Sequence, residues 1–440
     1  MSRRLLSWSA SRANASPRSV TLGIAAFAGL LTLYNLAGYP PGAGYDAVSH
    51  TQYADFLINH FRLPVRNETA EYYSPPLYYV VVGSLTWLGR QVGLAEPHRL
   101  GQLLNVPLVV GTVLLVAALA RVVWPERRWL APTAAAYVAL SPVLVRTAAM
   151  FHPEPADLFF SVLCAYLTAR ILVQRRYGAR EAFALGIALG AAQMIRQFEL
   201  YTLAVVVLAW IAALWTRAPE RRALLRSGLV GLAACVVIAG PWYGYRIVHF
   251  SNNPVFDRPH SSKPLFERRP ARFYDDLDLG TLFTRPYRPL MKNLAWPQTY
   301  ADIWGDWYGV FDWSYTHRGK PSQAHTDWLV AQNAVGIFPT VIAIGGWLVL
   351  LVSGLRRRSP THLLVSLMPL AALAGYFYFA IGYPTPDGDV LKPVFMLSAL
   401  WAWGLCFAWA AARLPRAAIL VLLGLAVAEL PFLVYRGAVG

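Results

Sequence analysis

The chain has 440 residues, 56% of them hydrophobic and 14% charged, with a mean hydropathy of +0.41. Soluble domains carry about 25% charged residues, and here apolar runs of about 20 residues recur between positions 20 and 435, each long enough to cross a hydrocarbon core about 30 Å thick. A soluble enzyme and a disordered chain are both excluded. The net charge of +16 comes without zinc-finger spacing, a phosphate loop or a basic helical stripe. It fits Arg-rich loops on one side of a membrane, and nucleic-acid binding is not expected.

Arg3, Arg4, Arg12 and Arg18 precede the first apolar run, 20–37. That run exceeds the roughly 7–15 residues of a secretory core, so it reads as an uncleaved anchor with a cytoplasmic N-terminus. Segment 45–61 (YDAVSHTQYADFLINHF) predicts a helix lying on the membrane, with Val48, Tyr53, Phe56, Leu57 and His60 on its apolar side. Asp46 and His50, four apart, share a face near its start. Asp46 is either a general base, with His50 supporting it or a phosphate, or the N-cap of this helix.

Residues 75–93 are apolar as well. Counting them as a pass would turn most later arginine clusters outward: Arg121, Arg127 and Arg128; Arg170, Arg175, Arg176 and Arg180; Arg217, Arg221, Arg222 and Arg226; Arg356, Arg357 and Arg358; Arg413 and Arg416. That arrangement violates the positive-inside bias, so 75–93 is read as a dipping or interfacial helix on the outer side. The result is an all-α polytopic membrane protein of about eleven passes, near 20–37, 99–123, 130–150, 157–173, 182–199, 200–216, 227–248, 330–352, 363–383, 392–412 and 417–435. It divides into an N-terminal module, 1–248, with a first outer loop 38–98; a long extracytoplasmic loop, 249–329; and C-terminal helices, 330–440. Cys164, Cys235 and Cys406 lie within apolar runs and read as packed small hydrophobes.

The carboxylates gather in the outer segments. Asp46, Asp55, Glu68 and Glu71 fall in the first, and Glu154, with Asp157 opening the next helix, in the second. Asp302, Asp306 and Asp312 stand among Trp296, Trp304, Trp307, Tyr308 and Trp313, and Asp387 and Asp389 in the last loop. Acids among exposed rings suit sugars, which stack on aromatic faces and donate hydroxyl protons. Asp302, Trp304 and Asp306 either close over a substrate or pack the loop. Arg196, in MIRQFELY between two passes, is costly in a membrane and points to a phosphate, or else pairs with Glu199 one turn away. Lys392, in DGDVLKPVF, binds phosphate or snorkels, and Arg146 is assigned to the same cavity.

The order of anchor helix, YDAVSH, YYSPPLYY and then AAAYVALSPVLVRTAAMFHPEPAD (134–157) resembles the GT-C superfamily of glycosyltransferases over residues 20–200. These multi-pass enzymes include protein O-mannosyltransferases, aminoarabinose transferases and oligosaccharyltransferase catalytic subunits. The resemblance implies transfer of a sugar from a polyprenyl-phosphate carrier, with inversion, to a glycan, lipid or protein hydroxyl on the extracytoplasmic face of a bacterial plasma membrane. It places the base at Asp46, with Tyr45 beside it at the substrate, although many relatives have Asp-Glu where this chain has Asp46-Ala47. The second acidic position falls on Glu154 or Asp157, and a basic one on Lys392. No cofactor is required, and a divalent metal is left open at Asp46, Glu154 and Asp157. The competing readings are a transporter of the same lipid-linked sugar and a non-catalytic subunit.

Overall fold

The computed structural model describes residues 16–250, 263–314, 320–385 and 388–437. The expectations for Arg3, Arg4, Arg12 and Asp387 lie outside them. Helix α1, Pro17–Gly38, starts as its sequence dictates: Ser16 caps it by accepting the Ser19 N–H at 3.1 Å, and Pro17 occupies a first-turn position where no donor is needed. Beyond the first loop come α2 (Ala47–His60), α3 (Leu77–Gln91), α4 (Asn105–Val123), α5 (Leu130–Ala139), α6 (Pro142–Ala149), α7 (Glu154–Gln174), α8 (Ala179–Ile195), α9 (Leu200–Thr216) and α10 (Arg221–His249). After the long loop, which carries α11 (Ala295–Ile303), follow α12 (Gln323–Arg357), α13 (Pro360–Gly382), α14 (Leu400–Ala411) and α15 (Arg416–Glu429).

Among the described residues nine helices are long and apolar enough to span a bilayer, and a tenth if α5 and α6, bent by 54° at Leu140–Ser141, count as one. The protein is an integral membrane protein. The difference from eleven is α8, whose 17 residues give about 26 Å of helix. Helix α3, with 15 residues, is not among the spans and lies against α2, as the charge bias required.

Small residues set the close helix contacts, as expected where lipid supplies no hydrophobic drive between helices. A Cβ on Gly186 of α8 would meet the carbonyl oxygen of Gly231 on α10 at 2.3 Å, so α8 tolerates no side chain there. Helix α15 is different: Glu429 is its one buried residue.

Two local expectations are corrected. The buried face of α2 is Ala47, His50, Tyr53, Ala54 and Leu57, whereas Val48 is 55% exposed and His60 faces outward. The helix packs on α3 through His50, Tyr53 and Ala54, so its packing face includes the polar His50. The rings of the long loop are not an exposed sugar platform either. Trp304, Trp307, Tyr308 and Trp313 are buried, and only Trp296 stays open. They are held by α12, whose 35 residues reach about 52 Å and overshoot the membrane. Its first turns bury Thr326, Leu329, Gln332 and Asn333 under the loop.

The charge bias makes a checkable prediction about sidedness. The three native cysteines are buried, so background labelling is low. Cysteine in place of exposed Ala95 is expected to react with an impermeant maleimide from outside, and Arg357→Cys only after permeabilisation. The reverse pattern would invert the protein.

Candidate active site

The first loop delivers Asp46 in a left-handed conformation, φ 49° and ψ 18°, just before α2. Its side chain makes no capping bond to the helix, so the N-cap alternative is not what the carboxylate does. Lys392 Nζ donates to Asp46 Oδ2 at 2.6 Å instead, across 346 positions of sequence.

Lys392 is presented by an extended residue ahead of Pro393, and the following 3-10 stretch, Pro393–Ala399, is tied into the membrane core. Ser161 of α7 donates to the Ser398 carbonyl at 2.9 Å and accepts from Trp401 Nε1 at 3.0 Å. The ammonium lies 5.9 Å from the Tyr45 ring centroid and 6.0 Å from that of Tyr308, within reach of both π faces. The Lys392 side chain is only 10% exposed while that of Asp46 is 45% exposed. The acid therefore faces the approach side and the cation sits behind it. Burial opposes charge on Asp46, but the Lys392 amine, His50 and His152 outweigh it and hold the carboxyl well below the usual carboxylate range.

A second group grows from the break between α6 and α7. Asn105 Nδ2 donates to the carbonyls of Ala148 and Met150, at 3.0 and 2.9 Å, and Gln102 to that of Ala149 at 3.1 Å. These bonds satisfy the end of α6 and fix the turn that presents His152 and Glu154. Glu154 opens α7, where the helix dipole favours a carboxylate. Its Oε1 pairs with Arg196 Nη2 at 2.7 Å, and its other oxygen pairs with His152. Arg196 occupies the extended break between α8 and the 3-10 turn Gln197–Glu199, with its guanidinium 5.4 Å from the Phe198 ring centroid.

His152 joins the two groups, with its ring 4.6 Å from that of His50 and 6.3 Å from that of Tyr45. Tyr79 OH lies 2.9 Å from His50 Nδ1. Burial, together with the charges of His152 and Arg196, pushes the His50 pKa well below its ordinary value. Glu71 is also buried, accepting from Ser74 Oγ at 2.5 Å. Burial raises its pKa while Arg196 pulls it down.

The alternative reading of Arg196, a pair with Glu199, is not what forms. The backbone between them is not α-helical, so the one-turn register is lost, and Glu199 lies against Asp157, carboxyl to carboxyl. Of the two acids left open, Glu154 belongs to the group reaching Asp46, and Asp157 sits a turn deeper with Glu199. Arg146 is buried and donates to the Asp302 carbonyl at 2.5 Å. Tyr45 OH donates to Asp302 Oδ2 at 2.7 Å. Trp304 Nε1 donates to Thr340 Oγ1 at 2.9 Å, and Asp306 accepts the backbone N–H groups of Val310, Phe311 and Asp312. Of the three loop residues, Asp302 alone is tied to a residue beside Asp46, and Trp304 and Asp306 pack the loop.

His152, Glu71 and Tyr79 were not singled out from the sequence. The first stands two positions before Glu154 in FHPEPAD, and the others flank or lie within YYSPPLYY, which was the available signal.

Nothing in this arrangement requires a cofactor, and a divalent metal is left open. Among the described residues no three His, Cys, Asp or Glu side chains meet as a ligand set, and Asp46 and Glu154 each already hold a cation.

Asp302 makes a pH prediction. Burial raises its pKa from 3.8 to about 7, against the pull of Arg146. The folded state then binds a proton that the unfolded state has lost, so this group's contribution to stability falls as pH rises from about 4 to about 7. Asp302→Asn is expected to flatten that fall, as read by thermal unfolding across the interval.

The helical architecture is similar to that of solved oligosaccharyltransferase structures. Residues 83–252, from within α3 to just past α10 and including Glu154 and Arg196, match the family model of dolichyl-phosphate-mannose-protein mannosyltransferases. Comparison with curated proteins gives no match. Among solved structures, the archaeal oligosaccharyltransferase AglB of Archaeoglobus fulgidus, in complex with an inhibitory peptide and a dolichol-phosphate, is 15% identical with a TM-score of 0.56, over 96% of this chain and 56% of that one. The Archaeoglobus fulgidus oligosaccharyltransferase in complex with Zn and sulfate is 14% identical with a TM-score of 0.57, over 95% and 54%. ArnT from Cupriavidus metallidurans bound to undecaprenyl phosphate is 16% identical with a TM-score of 0.49, over 92% and 62%. The chain thus spans between 54% and 62% of the length of these three structures.

Proposed function

We propose that this protein is an inverting glycosyltransferase that moves a sugar from a polyprenyl-phosphate carrier to an acceptor hydroxyl at the extracytoplasmic face of a plasma membrane. The observation that carries the reading is the meeting of Asp46 and Lys392, an exposed acid and a shielded cation brought together from opposite ends of the chain. The fold shared with lipid-carrier-dependent enzymes supports it, and so does the family match across residues 83–252.

In this mechanism Asp46 accepts the proton of the acceptor hydroxyl as its oxygen bonds to the anomeric carbon. The bond from that carbon to the phosphate oxygen breaks on the opposite face, and polyprenyl phosphate leaves with the electron pair. Lys392 and Arg196 neutralise the charge gathering on the phosphate. Lys392 changes partner when the donor arrives, and Asp46, released from its cation, becomes more basic at the moment a base is needed. An apolar groove of about 460 Å3 starts at Pro393 and Met396, next to Lys392, and runs along Phe377, Leu400 and Ile344, a path suited to the isoprenoid tail. His50, kept neutral by burial, and His152 orient the acid through packing.

The experiment is release of free polyprenyl phosphate from a panel of sugar-linked carriers by the purified protein, with membrane extract supplying acceptors. Release confined to one sugar establishes the transferase and names its donor. Donor binding without release in any combination removes the transferase reading.

A further inference from the structure

About 24 Å along α7 from Glu154, at the far end of the bundle, lies a second concentration of cations. Arg170 near the end of α7, Arg176 just after it and Arg180 in the first turn of α8 line one cavity of about 320 Å3, with Leu167, Ile171 and Glu181. The neighbouring cations are spoken for. Arg175 pairs with Glu220 at 2.7 Å, and Arg217 donates to the Leu172 carbonyl at 2.6 Å and to Tyr177 OH at 2.7 Å. Among the described residues, the side chains of Arg170, Arg176 and Arg180 make neither an ion pair nor a hydrogen bond.

Arginines at helix ends are common on the inner side of membrane proteins. This group differs in that three guanidinium groups from two helices enclose a concave space and leave it unfilled by any protein acceptor. Among the described residues Glu181 forms no ion pair with these arginines, so the cavity keeps three cations against one acid. The Glu181 side chain folds back toward Gly178, where a Cβ would meet Glu181 Oε2 at 2.6 Å, at the start of α8 where a carboxylate is favoured. Leu167, Ile171 and Ala184 supply the apolar part of its lining. A cavity with cationic and apolar lining at the end of membrane helices matches a phosphodiester with an acyl chain attached.

We infer that this cavity binds the headgroup of an anionic phospholipid, with the phosphate among Arg170, Arg176 and Arg180 and one acyl chain along Leu167 and Ile171. The site is separate from the one built on Asp46, and its occupancy does not depend on the proposed reaction.

The full-length protein, delipidated in detergent, tests it by titration with dioleoyl phosphatidylglycerol, with dioleoyl phosphatidylcholine or with inorganic phosphate, read by thermal unfolding and by lipid retention in native mass spectrometry. Phosphatidylglycerol is expected to raise Tm and to be retained, whereas phosphatidylcholine and inorganic phosphate do neither. The triple variant Arg170→Gln, Arg176→Gln, Arg180→Gln is expected to lose roughly a hundredfold in phosphatidylglycerol affinity, at about 1 kcal/mol for each cation near a membrane surface. Arg222→Gln with Arg226→Gln, two exposed arginines on α10 outside the cavity, should bind as the parent does. Should the triple variant fail to fold, Arg180→Gln alone must still weaken retention. Three results overturn the inference: equal loss in the α10 variant, which means general charge attraction; a full response to inorganic phosphate, which means a soluble-anion site; and equal retention of both lipids.

Discussion

Asp46→Asn is expected to abolish sugar transfer, by roughly a hundredfold to ten-thousandfold, while leaving folding and donor binding near those of the parent. Asparagine matches the acid in size but cannot take a proton from the acceptor. The site loses the charge facing Lys392, so the ammonium is left to the donor phosphate, and donor affinity should hold or rise. The pairing makes the two readouts move apart. A variant that merely misfolds would lose both, and a purely structural Asp46 would lose neither. Turnover within about tenfold of the parent would remove the base role from Asp46. The Ala47 position is part of the same test. Many members of the family it resembles have Asp-Glu there, whereas here Ala47 follows Asp46, and Lys392 pairs with the acid beside the edge-to-face rings of His50 and His152. If the parent is silent as well as the variant, the missing glutamate becomes the explanation.

Arg196→Ala is expected to have the largest effect on stability, about 3–5 kcal/mol, because Glu154 is left charged and buried with only His152 beside it. Thermal unfolding of the solubilised protein reads this loss directly. The double variant Arg196→Met with Glu154→Gln removes both charges together and should recover most of the stability. Donor affinity is expected to stay low in both, because neither retains a guanidinium for the phosphate. Recovery of donor binding in the double variant would assign Arg196 to structure alone. A single variant as stable as the parent would mean that Glu154 finds another partner, which the present packing does not offer.

How much of this could be read from the chain depends on the range of the interaction. Helices such as α1 and α2 and the assignment of 75–93 to the surface follow from hydropathy and arginine counts, which act over tens of residues or fewer. The count of passes was good to within α8, because a short helix in a bundle keeps its apolar pattern. Three local rules failed, each where a partner from elsewhere intervened. The i, i+3 spacing of Arg196 and Glu199 lost to Glu154, brought in from α7. The aromatic run 304–313 was buried by the overlong α12. Asp46 exchanged a helix-capping bond for a lysine 346 residues away.

Sequence by itself therefore determined a polytopic helical membrane protein and the segments between passes in which its acids and key cations sit, because burial in lipid and charge at its surface are additive properties of short stretches. Tertiary structure alone decided which acid meets which cation: Asp46 with Lys392, Glu154 with Arg196 and His152, Asp157 with Glu199. A buried charge takes the partner that reaches it in space, and the spacing of residues along the chain carries no record of that distance.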